Sequence, residues 1–176
     1  MPDTKPSPAL HDVADLQVAE LQVVGGLGRG GVDPHSLELL DLEPDYIDEF
    51  TLTTDTAATA VEWATVMFER AADRPGRDLI FQTILRMDVG PDQAPGMIAG
   101  WRIRSESDSH VLLAAEGSLV DNRLLIRRRP SGVSLTTALH FRRRRGRMIW
   151  ACISWKHRSV APGLLRKADA IASAQS

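Results

Sequence analysis

The chain has 176 residues, of which 43% are hydrophobic and 25% charged, and this composition suits one folded domain with a substantial core. Its single cysteine, Cys152, excludes an internal disulfide and a thiolate-rich zinc site, and no segment has the roughly 20 apolar residues needed to cross a bilayer. Residues 1–40 contain no basic segment followed by an apolar one, so we expect a cytoplasmic protein without membrane insertion.

The net charge of −2 hides a strong asymmetry along the chain. Residues 1–100 carry 6 Lys and Arg against 18 Asp and Glu, whereas residues 101–176 carry 15 against 5, so the net charges of the two parts are −12 and +10. We expect these parts to attract each other. Almost all of the cations are arginines, which is typical of anion recognition but equally of a coding bias.

Residues 1–43 are predicted to form a loosely ordered arm. Prolines near the start disfavour regular structure, although the apolar residues between positions 10 and 21 have the spacing of a short amphipathic helix. Residues 26–31 fit the dinucleotide-binding pattern G-x-G-x-x-G. Since Val32, Asp33 and Pro34 follow, and no parallel strand–helix–strand repeat appears later, we interpret this segment as a flexible Gly-rich hinge.

Residues 44–176 are predicted to form the folded domain. In residues 46–52, Tyr46, Phe50 and Leu52 would lie on one face of a strand and Glu49 and Thr51 on the other, so this segment is predicted to be the first strand. Thr59 and Glu62 match a capping box, and the apolar residues that follow predict a helix to about Ala72. Apolar residues between positions 79 and 87 predict a second helix, which Gly90 and Pro91 would end.

From Met97 onward the sequence has a period of two. Residues 101–104 alternate, residues 110–116 and 119–129 form apolar runs, and residues 133–141 alternate again after a turn at Pro130. This pattern predicts a meander of antiparallel strands.

The last element is a long helix over residues 146–172. Its apolar residues fall within about 60° of one another on a helical wheel: Ile149, Ile153, Val160, Leu164 and Ile171. Pro162 is expected to kink or break this helix. The order of elements predicts an α+β fold, in which a curved antiparallel sheet wraps around the C-terminal helix and leaves a cavity between them. This order resembles that of the helix-grip fold.

Three short motifs carry a resemblance to a known family. They are Asp45-Tyr46-x-Asp48-x-Phe50, Glu62-Trp63-Ala64-x-x-x-Phe68, and Gly146-Arg147 through His157-Arg158-x-Val160-x-Pro162-x-Leu164-Leu165. Over about residues 44–170 the chain resembles a bacterial domain-of-unknown-function family within the helix-grip superfamily (START/polyketide-cyclase-like, SRPBCC). The resemblance implies the fold and no settled function. Where that family has a His-Leu-Asp-Phe-like segment this chain has Leu119-Val120-Asp121-Asn122, so only Asp121 matches.

Five residues are predicted to contact a ligand in the cavity: Trp101, Asp121, Arg123, Trp150 and His157. Trp150 and His157 border the apolar stripe of the helix, and Trp155 is expected to add apolar area. Asp121 could pair with His157 as an acid–base couple. The interpretation that we favour is a hydrogen bond between them that ties the helix to the sheet.

Other reactive or charged residues are given structural roles. Cys152 lies 140° around the helix from His157, so we expect a packed thiol rather than a Cys–His pair. His110 and His140 are interpreted as surface or hydrogen-bonded histidines in strands. The spacing of His, Asp and Glu predicts no metal site, and no cofactor is expected.

The arginine runs at residues 127–129 and 142–145 raise the question of nucleic-acid binding. Successive side chains of a strand point to opposite faces, so each run divides its charge, and we expect solvated sheet edges and no nucleic-acid partner. Residues 142–147 also precede a helix N-terminus, where they could hold an anionic group of a ligand.

The favoured function is the non-catalytic binding of a small, mainly hydrophobic molecule, with or without an anionic group, between sheet and C-terminal helix. A first alternative is an enzyme of the cyclase or dehydratase kind, which in this superfamily uses polar residues in the same cavity and no cofactor. A second is a protein-interaction module that uses the acidic residues 41–49 or the arginine edge. The sequence leaves the oligomeric state open.

Overall fold

The computed structural model describes residues 22–73, 75, 85–91 and 94–175. The strands are β1 Val23–Leu27, β2 Tyr46–Thr53, β3 Met87–Asp88, β4 Met97–Ile98, β5 Trp101–Glu106, β6 His110–Gly117, β7 Val120–Arg129 and β8 Gly132–Phe141. The helices are α1 Pro34–Leu39, α2 Ala60–Thr65, which continues into a π-helical turn Val66–Ala71, and α3 Arg144–Ser173; a 3-10 turn spans Arg29–Gly31. None of the described helices is long and apolar enough to span a membrane.

One open sheet of 8 strands organises the molecule, in the order β1-β2-β8-β7-β6-β5-β4, with β3 paired to β6. Every described pair is antiparallel. The sheet is curved, and α3 lies across its concave face. The predicted α+β helix-grip fold, the first strand and the antiparallel meander are therefore confirmed.

The two faces of the sheet hold different side chains because neighbouring residues of a strand point to opposite sides. On β8, Val133, Leu135 and Leu139 join the main core with α2 and α3. Residue Ala138, of the other parity, belongs to a small cluster on the outer face. Large buried residues of the main core come from every layer: Leu52, Trp63, Met67, Trp101, Leu113, Ile126 and Leu165.

The line of contact along α3 differs from the predicted apolar stripe. Most of its buried residues have small side chains, and they recur at intervals typical of one helix face. They are Gly146, Trp150, Ser154, Ala161, Leu165, Ala168, Asp169 and Ala172. Small side chains let the helix approach the sheet, so the large ones of the predicted stripe lie to one side. Ile153 and Leu164 are half-buried, and Val160 is 56% exposed.

The sequence predicted a kink or a break at Pro162; the break is absent, because α3 continues as one helix through this residue. Ala161 and Leu165, on either side of the proline, are 3% and 0% exposed and belong to the main core. Helices in proteins are held mainly by tertiary contacts of one face, and here that contact is maintained across the proline.

Helix α2 begins as predicted. The Thr59 hydroxyl accepts a hydrogen bond from the Glu62 N–H at 3.2 Å, and the Glu62 carboxylate accepts one from the Thr59 N–H at 2.7 Å. The π-helical turn that follows ends at Ala71. Most of the second predicted helix, like the predicted helix at residues 10–21, lies outside the described residues; its last residue, Met87, is in strand β3.

Residues 22–43 contain regular structure where the sequence predicted a loose arm. Strand β1 pairs with β2 along its whole length, and α1 covers the outer face of the sheet with Leu37 against Ile47 and Ala138. The Gly-rich segment forms the end of β1 and the 3-10 turn, so the predicted flexible hinge is wrong. A Cβ atom on Gly26 would lie 1.6 Å from the Gly31 carbonyl oxygen, so the close approach of the two backbones requires glycine.

Ion pairs hold this outer layer to the sheet. The guanidinium of Arg129 contacts Glu49 at 2.7 Å and Asp33 at 2.9 Å, and Arg127 contacts Asp33 at 3.2 Å. The buried Glu49 carboxylate also accepts hydrogen bonds from the Ser36 and Thr136 hydroxyls. The predicted attraction between the acidic and basic parts of the chain is thus confirmed on this face.

Replacement of Arg129 by Met tests this cluster. Glu49 is 5% exposed, and removal of its cationic partner leaves a buried charge with neutral donors only, namely the Ser36 and Thr136 hydroxyls and the Asp33 N–H. We therefore expect the free energy of unfolding to fall by about 2–3 kcal/mol. Urea unfolding measures this change. The matched control is Arg128→Met at the exposed neighbouring position, which should change stability by less than about 0.5 kcal/mol. Equal effects of the two substitutions would show that the cluster contributes nothing specific.

Candidate functional site

A cleft of about 290 Å³ lies between the concave face of the sheet and α3. Most of its lining is apolar: Phe68, Ala72, Leu124, Leu135, Trp150, Ile153, Val160, Ala161 and Leu164. Its polar residues are Asp73, Thr137, Lys156 and His157. The cleft lies beside the line of closest contact between α3 and the sheet, where Ile153 and Leu164 are half-buried and Val160 is exposed.

The spacing of the lining residues follows the repeat of the element that carries them, which is two residues in a strand and three or four in a helix. Leu124 of β7 is directly opposite Thr137 of β8, and Leu135 is two residues away on the same face. On α3, the lining residues Trp150, Ile153 and His157 follow at intervals of three and four.

A carboxylate, a phenol and an imidazole meet beside this cleft. Asp48 is opposite Thr137 in the β2–β8 ladder and is fully buried, with 0% exposure. The Nε2 atom of His157 lies 3.2 Å and 3.4 Å from its two carboxylate oxygens. The Tyr46 hydroxyl donates a hydrogen bond to the same carboxylate at 2.5 Å.

Aromatic rings enclose this constellation. The ring of Trp150 contacts Tyr46 edge-on at a centroid distance of 5.0 Å and His157 at 5.3 Å. The side chain of His157 is 20% exposed, so of the Asp48–His157 pair only the imidazole reaches the cleft. Burial raises the pKa of Tyr46, and the adjacent Asp48 carboxylate raises it further. Tyr46 therefore acts as a protonated donor at neutral pH.

Two buried polar atoms in residues that line the cleft have no hydrogen-bond partner among the described residues. They are the indole nitrogen of Trp150 and the hydroxyl of Thr137. Buried polar groups are nearly always satisfied, and an exception in a native structure calls for a reason such as a water or ligand that completes the site. In the described part of the chain no group of three His, Cys, Asp or Glu side chains is placed to hold a metal ion.

The predicted ligand contacts fall into two groups. Trp150 and His157 line the cleft. Trp101 is buried on the same side of the sheet, where its indole N–H donates to the Asn122 side chain at 2.9 Å, and it lies outside the cleft lining. Trp155 is 64% exposed on the outer side of α3.

Asp121 and Arg123 lie on the opposite face of the sheet from His157. Asp121 accepts hydrogen bonds from Arg142 at 2.7 Å and 2.8 Å, and Arg123 contacts Asp41 at 2.5 Å. The hypothesis of a pair between His157 and Asp121 is therefore corrected, since strand parity turns Asp121 away from α3 and Asp48 takes its place.

The expectation of a packed Cys152 thiol is also corrected, because Cys152 is exposed on the outer side of α3. Its predicted separation from His157 around the helix holds for the same geometric reason. His140 contacts Asp45 at 3.3 Å on the outer side of the sheet, and His110 contacts the Ser107 hydroxyl at 2.8 Å.

Sequence reasoning missed Tyr46 and Asp48 as site residues, although a signal was present. Both share the parity of Phe50 and Leu52, which are core residues. A carboxylate on the core-facing side of a central strand needs a buried hydrogen-bond or ionic partner. This requirement was enough to identify Asp48 as a candidate site residue.

Comparisons of the chain with protein-family models, curated proteins and solved structures found no match. The site is thus described by its own geometry alone.

The titration of Tyr46 tests the constellation directly, because Tyr46 is the single tyrosine of the chain. An exposed tyrosine is half-ionised at about pH 10. In the folded protein we expect no tyrosinate absorbance at that pH, and Asp48→Asn should lower the midpoint because a neighbouring negative charge is removed. Circular dichroism at each pH separates ionisation from alkaline unfolding. A normal midpoint in the folded wild type would contradict the buried contact with Asp48.

Proposed function

We propose that the chain binds a small, mainly hydrophobic molecule in the cleft between the sheet and α3, without catalysing a reaction. The observation that carries this proposal is the mainly apolar cleft of about 290 Å³ beside the main core. Ligand sites in proteins are clefts of this kind, at roughly 300 Å³ and above, with a few polar groups that orient the ligand.

The size of the cleft restricts the ligand. A cavity of roughly 150 Å³ holds one benzene molecule, so a cleft of about 290 Å³ suits a body of about two rings or a short branched chain. Lys156 and His157 supply cationic or hydrogen-bonding groups in its lining. An anionic or carbonyl group at one end of the ligand is therefore part of the proposal.

Membership of the helix-grip superfamily belongs to the same proposal. It is supported by the sheet that wraps around α3 and by the three motifs of residues 45–50, 62–68 and 146–165, which contribute Tyr46, Asp48, Phe68, Trp150 and His157. The cytoplasmic location expected from the sequence stays a prediction.

A specific observation favours a second candidate, an enzyme that needs no cofactor. In the Asp48–His157 pair the carboxylate holds Nε2 of the imidazole, which leaves Nδ1 as a base within a lining residue of the cleft. A histidine oriented by a carboxylate is a common general base in catalysis. A protein that only binds its ligand has no need of this arrangement.

The third function considered, protein interaction through residues 41–49, has less support. Asp41, Asp45 and Glu49 form ion pairs with arginines of the same chain. These carboxylates are thus committed to intramolecular contacts.

A fluorescent probe, anilinonaphthalene sulfonate, tests the proposed cleft. We expect the folded protein to bind it with one site, and Val160→Trp to weaken binding at least about tenfold because an indole would fill the cleft mouth. Val160 is 56% exposed, so the substitution should leave the core unchanged. The matched control, Ala151→Trp, adds the same ring at an exposed position of α3 outside the cleft lining and should retain binding. Equal binding by all three proteins would refute this site.

Substitution of His157 by Gln separates the two candidate functions. Native mass spectrometry first identifies any small molecule that co-purifies with the wild type, and this compound is then tested for turnover. If the chain is an enzyme, His157→Gln should retain binding of the compound but lose turnover, since Gln supplies a hydrogen bond and no base. Turnover that survives the substitution would contradict a general-base role, and the absence of turnover in the wild type supports binding alone.

A further inference from the structure

Helix α3 presents a second apolar stripe, on the side that faces away from the sheet. Met148, Cys152 and Trp155 lie within about 60° of one another on a helical wheel, opposite the buried Trp150. Met148 is 69% and Trp155 64% exposed, and Cys152 is exposed as well. Large apolar side chains that are exposed along one line of a helix are typical of an interaction surface.

Cations flank this stripe, and acidic residues are absent from it. Residues 142–168 contain nine arginines and lysines and no aspartate or glutamate. Arg142 pairs with Asp121 of β7, and Arg147 pairs with Asp45, which precedes β2. Arg144, Arg145 and Lys156 are exposed, and among the described residues they form no ion pair. By helical spacing, Arg144 lies on one side of the stripe and Arg145 and Lys156 on the other.

The combination of an exposed indole, a thioether and unpaired cations selects one kind of partner. A second copy of the chain would bring like charges together, which opposes association. A nucleic acid would use the cations but would leave most of the apolar stripe in water. An anionic bilayer can contact both the apolar stripe and the cations. Trp and Met enter the headgroup region, while arginine and lysine side chains contact lipid phosphates.

We propose that the outer face of α3 binds the surface of an anionic lipid bilayer. The contact is peripheral, since the inner face of the same helix belongs to the core of the protein. Lys156 and Val160, at the mouth of the cleft, border this face, so binding would bring the cleft to the membrane surface. Bilayer binding does not depend on whether the cleft holds a ligand.

The position of the tryptophans provides a direct measurement. The chain has 4 tryptophans. Trp63, Trp101 and Trp150 are at most 3% exposed, so a change in emission on membrane binding reports Trp155. With vesicles of phosphatidylglycerol and phosphatidylcholine we expect the protein to cosediment and its emission to shift to the blue. Vesicles of phosphatidylcholine alone should give neither result, and added salt should weaken the interaction.

Two variants test which residues carry the binding. Arg144→Gln with Arg145→Gln should lower the vesicle partition coefficient roughly 25-fold, since each cation near an anionic surface contributes about fivefold. Trp155→Ser removes the fluorescent reporter, so its effect on binding is measured by cosedimentation, where we expect a lower partition coefficient. The matched control removes two exposed arginines away from α3, Arg102→Gln with Arg128→Gln, and should bind as the wild type does. Unchanged near-UV and far-UV circular dichroism shows that each variant is folded.

Three outcomes would overturn the proposal. The first is no binding of the wild type to phosphatidylglycerol vesicles. The second is an equal loss of binding in the control, which would mean that overall charge and not this face is responsible. The third is binding to heparin as tight as to vesicles and independent of Trp155, which would identify a general polyanion surface. Each outcome is separate from the ligand test, because the variants leave the cleft lining intact.

Discussion

The alternation of side chains along β2, β7 and β8 is the constraint on which both faces of this molecule depend. In the observed register Asp48 is opposite Thr137 and points to α3, whereas Glu49 is opposite Thr136 and points to the outer layer. A shift of β2 by one residue would exchange the two carboxylates. Asp48 would lose His157, and Glu49 would lose Arg129. One register thus sets the cleft and the charged cluster together.

The charge asymmetry of the chain corresponds to the separation between the outer layer and the elements that it covers. The acidic first part supplies the outer layer, and the basic second part supplies β7, β8 and α3, so ion pairs such as Asp33–Arg127 and Asp41–Arg123 join segments distant in sequence. Ion pairs join the two parts at several points on the outer face of the sheet, whereas some cations along α3 have no such partner among the described residues. The unpaired cations there, including Arg144 and Arg145, are what remains when the acidic layer covers only one side.

Local patterns predicted most of the fold, and the misses have a common cause. The capping box at Thr59, the alternation of β8 and the length of α3 depend on near neighbours, and these predictions are confirmed. Strand β1 and helix α1 are held by contacts with β2 and by ion pairs across the chain, which no local pattern shows. For the site, the helix predicted Trp150 and His157, but the partner of His157 depended on which face of each strand turns to α3.

The burial of Asp48 bears on what the cleft can do. Removal of a carboxylate from water costs several kcal/mol, and an apolar residue at this position would usually serve stability as well or better. Since Asp48 is fully buried, a ligand cannot touch it and meets this network only through His157. Tyr46 remains protonated and holds the carboxylate from the other side. The arrangement therefore fixes one imidazole at the wall of an apolar cleft, and orientation of that ring is the property that binding and catalysis would both use.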